Sequence, residues 1–499
     1  MQKPLLTLQT KDFLSGINPA GAHGQGGGLF FKADGVTPLF EAGTSQSVNN
    51  GLLMAGASGT TIGGSPNGNF LCSLCYDTGT RISAYFGTST GRIFRQDIGT
   101  GDTPPTGANL TSILTTGTAV LALESLQAVG GDPYIFYFLP GSVGRYDINA
   151  GTFNDSWGSA STDNTRASHK YFDQILYGGG TGKINSISDN GSAVLVNTGS
   201  VLDIPSNSTA TAISDDGIYA IIAVSNNSRG DTGAYADTRI LFWDGFSSSW
   251  LREYPLTDPL IYAIKKTPVG VFAFGITGIW QVTFGEVKKI FSHPPGVYTV
   301  VNYNVHHYGK SAVSYFSDSL VWGGTSGSNY AIKSLGKLDS SAPNAYLHPF
   351  LSTAGQNITL VDGQLLKGWL YVADDTPQLK AYPFSTTNAP QTGVSAQTIY
   401  YPLPYQVQIE KIKVTFGEPL ASGDAFDIDT KIDEDTAAVD FDSVSYAVEG
   451  AVRSKVMTPK TNATPRPNQQ ISFVLNWTGG AVKIKSIKVY GEAEEDKTE

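Results

Sequence analysis

Two cysteines, six histidines and one dense run of acids are the side chains whose type and spacing could do chemistry in this chain. Cys72 and Cys75 form a single Cys-x-x-Cys. A structural zinc centre needs four ligands, and there is no second pair. Residues 71–76 read as a strand, on which positions three apart face opposite ways. The two thiols are therefore expected as buried small apolar side chains. His306 and His307 are adjacent, so on a strand they point apart and cannot chelate one ion together. His23 lies in a glycine-rich N-terminal segment, His293 and His348 stand beside prolines, and His169 precedes an expected strand. No metal site is assigned to them.

The densest acids are Asp424, Asp427, Asp429, Asp433, Glu434, Asp435, Asp440 and Asp442. Oxygen ligands on a loop suit calcium. The EF-hand spacing fails, because no glycine follows the acidic triplet and no glutamate closes the loop. The reading is a solvated sheet face. Gly178-Gly179-Gly180-Thr181-Gly182-Lys183 resembles a phosphate loop only superficially. Ile184 stands where the hydroxyl residue belongs, and a strand follows instead of a helix, so a hairpin turn is expected. The Asp-box of sialidases is absent; Ser214-Asp215-Asp216-Gly217 lacks its spacing and its tryptophan. A glycosidase would need a carboxylate pair at fixed separation. No serine is assigned as a nucleophile on a strand-to-helix elbow. No catalytic, cofactor-binding or metal-binding residue is assigned, and the chain is expected not to be an enzyme. Trp157, Trp250 and Trp477 could stack on sugars, or simply pack. A carbohydrate-binding receptor-recognition protein or lectin is thus the rival class, with a propeller glycoside hydrolase third.

The elements that must position these side chains are strands. Hydrophobic residues make up 40% of the 499 and charged residues only 15%, against about 25% charged in a typical domain. Glycine is abundant and suits turns, while tyrosine and phenylalanine suit pleated surfaces. Net charge is -10, and no basic cluster marks a phosphate-neutralising surface. No stretch approaches the roughly 18 apolar residues of a membrane helix, so no membrane insertion is expected. The N-terminus lacks the apolar run of a signal peptide, which leads us to expect synthesis in a cytoplasm without cleaved export. Asn-x-Ser/Thr triplets at Asn109, Asn357 and Asn476 match chance in so polar a composition.

From about residue 70 to 385, short apolar runs recur between Gly, Asn, Asp and Ser turns. The clearest unit is Ile261–Lys265, Val271–Gly275, Ile279–Phe284 and Val287–Phe291, a four-stranded meander. Similar units start at Ile82, Tyr134, Tyr171, Ile218, Ala312 and Ile358. Tyr171–Tyr177 reads as one strand, and Asp362-Gly363 as a turn. Seven units over about 315 residues give a period of about 45, the propeller range. Blades bury both faces, which explains apolar strands without clean alternation. Past residue 398, alternation becomes clean at Tyr405, Val407 and Ile409, and at Ile471, Phe473 and Leu475. The expected fold is all-β: an irregular seven-bladed β-propeller with an N-terminal extended arm and a C-terminal β-sandwich. Its expected parts are an arm at 1–45, propeller at 46–385, linker at 386–397, sandwich at 398–490 and acidic tail at 491–499. The arm is expected to dock on a neighbouring subunit through Leu29, Phe30, Phe31 and Phe40, because free aromatic tails are a liability.

The run Leu5-Leu6-Thr7-Leu8-Gln9-Thr10-Lys11-Asp12-Phe13, then Gly27-Gly28-Leu29-Phe30-Phe31-Lys32-Ala33-Asp34-Gly35-Val36-Thr37-Pro38-Leu39-Phe40, resembles the opening of bacteriophage tail proteins. An irregular propeller with an added β-domain is also similar to the nozzle (hub) proteins of short-tailed phages. The resemblance implies a virion structural protein. Copies would form a ring around the DNA exit channel, bound to other tail proteins such as the adaptor and tail fibres, with transient contact to passing genomic DNA. It implies no cofactor and no small-molecule substrate. An acidic channel wall is expected, because it would weaken DNA sticking.

Overall fold

The computed structural model describes residues 5–10, 30–34, 36–40, 51–55, 60–64, 68–79, 82–98, 110–129, 131–159, 167–190, 195–226, 236–292, 310–316, 319–326, 329–336, 346–353, 358–366, 369–374, 378–383, 394–398, 401–432, 438–460, 468–480 and 482–493. Strand dominates; the described helix is limited to the turn Tyr446–Glu449 and a 3-10 turn at Lys310–Ala312. The chain separates into two compact units, residues 59–330 with 355–384, and residues 1–58 with 331–354 and 385–499.

Seven sheets have four strands each, all in simple antiparallel order. The first comprises Phe70–Asp77, Ile82–Thr88, Arg92–Asp97 and Thr111–Thr115. The second comprises Ala122–Gln127, Pro133–Leu139, Ser142–Asp147 and Phe153–Ser159. The third runs through Ser168–Tyr171, Gln174–Gly178, Lys183–Asp189 and Leu195–Asp203; the fourth through Ser208–Asp215, Ala220–Asn226, Ala236–Trp243 and Arg252–Pro255. The fifth is Ile261–Thr267, Gly270–Gly275, Gly278–Val282 and Val287–Ser292, and the sixth Val313–Phe316, Ser319–Ser326, Asn329–Gly336 and Tyr346–Thr353. The seventh takes Ile358–Leu366, Trp369–Asp374 and Gln378–Pro383, and its fourth strand is Thr60–Gly64 from the far end of the chain. The first strand of each sheet packs on the first strand of the next, and Ile358–Leu366 packs on Phe70–Asp77, so the series closes on itself.

The cores lie between consecutive sheets. Ile221 and Ala223 pack with Ile261, Val271 and Ala273 of the fifth sheet. Ala220, Ile222 and Val224, on the other face of the same strand, pack with Tyr171, Leu176 and Ile184 of the third. A strand buried on both faces needs apolar residues at every position, and so reads as a run. The closure obeys the same logic. Ile62, Leu360, Tyr371 and Leu379 of the seventh sheet bury against Phe70, Ala84, Phe86 and Phe94 of the first. Each Leu, Ile or Phe among them contributes about 1.5–3 kcal/mol by leaving water.

Two local readings are corrected. Tyr171–Tyr177 is two strands, not one, with the turn at Phe172 and Asp173. Phe172 takes a left-handed φ of 51° there, a conformation no sequence signal announces for phenylalanine. Asp362-Gly363 lies within a strand, as a register irregularity between Asp362 and Leu366, and not at a turn. A Cβ at Gly363 would meet Phe316 Cβ at 2.6 Å, so the glycine serves close approach between sheets.

The second unit holds an eleven-stranded sheet. Tyr401–Phe416 lies between Asn468–Gly479 and Ile484–Ala493, and Ala425–Ile432 pairs with both Val439–Ser445 and Asn468–Gly479. Ile412, Val414, Phe416, Phe426, Ile428, Leu475, Trp477 and Ile484 are buried in it. The segment expected as an arm pairs within its own chain. Leu5–Thr10 pairs with the last strand, from Leu5 opposite Glu492 to Thr10 opposite Ile487. Phe30–Asp34 pairs with Val394–Thr398, and Val36–Phe40 with Gly51–Ala55. β-prone residues on a sheet edge are satisfied by the chain's own backbone. Leu29 lies outside the described residues. Likewise the 386–397 linker contributes Val394–Thr398 as a strand, and the last strand extends into the expected tail as far as Ala493.

Candidate functional site

Polar side chains bridge the first strands of neighbouring sheets. Ser168 Oγ donates to Glu124 Oε1 at 3.0 Å between the third and second sheets. Ser73 Oγ donates to Asp362 Oδ2 at 2.7 Å between the first and seventh. Gly363 N donates to Ser314 Oγ at 3.0 Å between the seventh and sixth. The richest bridge spans three sheets: Asp215 Oδ2 meets His169 Nε2 at 2.6 Å, and Asp215 Oδ1 accepts from Lys266 Nζ. Burial alone would push the Asp215 carboxyl up. The hydrogen bonds and charges of His169 and Lys266 outweigh it and hold the carboxyl down at about 2. His169, expected to precede a strand, lies within one, and Asp215 comes from the Ser-Asp-Asp-Gly run that the Asp-box comparison dismissed. Each of these residues sits one sheet apart from its partner, so no local motif joins them.

The acid run resolves into a smaller group. Asp427, Asp429 and Asp440 bring carboxylate oxygens within 4.8 Å of one another. Alternation buries Phe426, Ile428 and Thr430 and sends Asp427 and Asp429 to the other face. Asp440 stands opposite Asp429 on the neighbouring strand. Lys460 Nζ donates to both oxygens of Asp440, at 2.8 and 2.6 Å. Asn476 Nδ2 donates to Asp429 Oδ2 at 3.0 Å. Burial, then the charges of Asp429 and Asp440, raise the Asp427 carboxyl to about 6. Its Oδ1 is buried without a hydrogen-bond partner. The trio offers oxygen ligands of the kind a hard cation takes. Asp424 instead accepts from Ala421 N, and Asp442 from Ser443 N and Thr458 N. Asp433, Glu434 and Asp435 lie outside the described residues.

The other expected features land as follows. Cys72 is buried, with Sγ 3.5 Å from Val120 O, while Cys75 is exposed, with Sγ 3.9 Å from Leu365 O. The two thiols face opposite neighbours, so Cys75 is not the buried residue expected. Gly178 to Lys183 is a hairpin connection, closed by Gly179 N donating to Lys183 O at 2.9 Å. Gly87-Thr88-Ser89-Thr90-Gly91 has nucleophile-elbow spacing that the sequence reading passed over. It joins Ile82–Thr88 to Arg92–Asp97, with no helix following, and Ser89 Oγ accepts from Asn69 N. Trp477 is fully buried and donates from Nε1 to Val482 O at 2.9 Å. Trp157 packs on Phe136 at 5.0 Å, and Trp250 on the core between the third and fourth sheets. His23, His293, His306 and His307 lie outside the described residues, as does the side chain of His348.

No protein-family model matches the chain, and no curated protein does. Among solved structures, one chain of a "Crystal Structure of Mitotic Checkpoint Complex" is similar. It is 12% identical, covers 69% of this chain and 96% of its own, and has a TM-score of 0.42.

Proposed function

We propose that this chain is a structural protein of a bacteriophage tail, a nozzle or hub subunit that forms a ring around the DNA exit channel. The observation that carries this reading is the N-terminal resemblance to phage tail proteins, over Leu5–Phe13 and Gly27–Phe40. In our reading the seven four-stranded sheets are the blades of one closed propeller, and the eleven-stranded sheet folds over as a sandwich. The cyclic packing of first strands supports the propeller, as does the completion of the seventh sheet by Thr60–Gly64. A ring closed by strands from both ends of a chain resists opening, because either end must leave the sheet before a blade can peel away. That rigidity suits a repeated part of a pressurised tube. The partners are further copies of the chain, the tail adaptor and fibres, and passing DNA. The net charge of -10 supports weak contact with phosphate. Synthesis takes place in the host cytoplasm, and the working location is the virion tail.

Sedimentation of virus particles with an antibody to this chain, followed by immunogold electron microscopy, tests the proposal. Gold at the tail is the expected result. A chain found only as soluble monomer, and never with particles, would overturn it and bring glycan binding forward.

A further inference from the structure

At one end of the second to fifth sheets, the turn after each first strand exposes one large apolar residue. These are Val129 (82% exposed), Phe172 (59%), Ile218 (66%) and Val269 (42%); Phe246 (89%), on the connection between the third and fourth strands of the fourth sheet, joins them. Inter-sheet bonds place these turns at the same end. Val129 N donates to Asp189 Oδ2 of the third sheet. Tyr171 Oη, beside Phe172, donates to Ile218 O at 2.7 Å and to Asp244 O at 3.3 Å, two residues from Phe246. Lys266 reaches from the fifth sheet to Asp215.

Single exposed apolar residues need no explanation, but one at each of four successive turns does. Phe172 adds an independent sign. It holds φ 51° with its ring outward, against Tyr171 alone at 4.6 Å among the ring contacts described. A bulky residue in left-handed backbone is strained, and here the strain secures no burial. The loops of these four sheets at this end carry Asp132, Asp173, Asp216, Asp244 and Glu286 and contain no Lys or Arg. Hydrogen bonds from Ser247 and the Phe246 amide keep the Asp244 carboxyl low, hence charged. Of the cations just inside on the strands, Lys266 is paired to Asp215, and Arg252 stacks over Phe284 at 4.9 Å and donates to Phe284 O; Lys170 and Lys288 are exposed.

We propose that this face docks a basic peptide segment of a protein partner, one that carries apolar side chains between its Lys and Arg residues. Apolar tips supply contact area, and the carboxylate rim selects positive charge and rejects like-charged surfaces. The same rim disfavours a second copy of this acidic chain. The proposal stands independently of the tail assignment.

The probe is a fluorescein-labelled peptide of about 15 residues alternating Lys or Arg with Leu or Phe, titrated with the full chain by anisotropy. Companion peptides carry Glu for the cations, or Ser for the apolar residues. Wild type should bind the basic apolar peptide at least tenfold more tightly than either companion, and less tightly as salt rises. Phe172→Asn with Ile218→Ser and Phe246→Ser should weaken binding at least tenfold without lowering the melting temperature, since asparagine tolerates left-handed backbone. Asp173→Lys with Glu286→Lys, which leaves in place the Asp216 hydrogen bonds that hold the Ile218 turn, should weaken the basic peptide and strengthen the acidic one. Equal binding of all three peptides, no binding, or binding untouched by both variants would overturn the proposal. So would a concentration-dependent dimer of wild type, seen by sedimentation velocity, that the triple variant dissociates.

Discussion

Asp427→Asn should make the protein more stable at pH 7.5 and leave it unchanged near pH 3.5. The folded carboxyl sits at about 6, against a reference of 3.8. Between those values the folded chain binds more protons than the unfolded chain, so stability falls as pH rises through the window. Above pH 6 the full deficit is present. Fully desolvated, the difference would correspond to about 3 kcal/mol. Asp427 is only half-buried, and Lys460 stands across Asp440, so screening reduces the expected deficit to about 1 kcal/mol. Asparagine removes the charge that faces Asp429 and Asp440 and keeps the shape. Urea unfolding of both proteins at pH 3.5, 5 and 7.5, followed by circular dichroism, gives the test. The gap should open between pH 4 and 6. A gap of the same size at every pH would show a packing effect and refute the electrostatic argument. A variant less stable at pH 7.5 would show that the Asp427 charge is favourable, as a bound cation would make it.

Asp215→Asn runs the opposite way. A carboxyl held at about 2 stabilises above its unfolded value, and that contribution is lost as pH falls toward 2. With Asp215 half-buried, the variant should lose about 1 kcal/mol at pH 7 and nothing near pH 2, by the same unfolding assay. Asp258→Ala should cost about 3–5 kcal/mol. It removes the acceptor of Thr277 N (3.0 Å), Thr277 Oγ1 (2.7 Å) and Trp280 Nε1 (3.3 Å) at a buried site and leaves Ile276 N with Leu260 O alone at 3.2 Å. A loss under about 1 kcal/mol in urea would refute that network's weight. Gly144→Ala would place a Cβ 2.0 Å from Tyr137 Cε2, in the core between the first and second sheets. It should cost at least about 1–3 kcal/mol, with a changed near-ultraviolet dichroism from the displaced ring.

What was legible was local. The fifth sheet's four strands fall within a few residues of where apolar runs and glycine turns put them, because a hairpin's strands and turn are contiguous in sequence. The alternation that separates Ile428 from Asp427 and Asp429 was legible for the same reason. Even so, the turn at Phe172 was missed, since glycine or asparagine is the usual signal for left-handed backbone. Of the site residues, the sequence marked Asp427, Asp429 and Asp440 only as members of a longer run, and it gave no reason to join His169, Asp215 and Lys266.

The sequence by itself determined the all-β character, the hairpins and, where residues alternate as in Phe426–Thr430, the side of the strand that avoids water, because propensity and periodicity act over fewer than ten residues. The tertiary structure decided which edges meet. Thr60–Gly64 completes a sheet with Gln378–Pro383, and Leu5–Thr10 pairs with Ile484–Ala493. Backbone groups on an edge strand accept any extended partner of suitable register. The choice among distant partners therefore depends on which edges remain open after the local hairpins have formed. The grouping of Asp215 with His169 and Lys266, and the row of apolar turns from Val129 to Val269, follow from that choice.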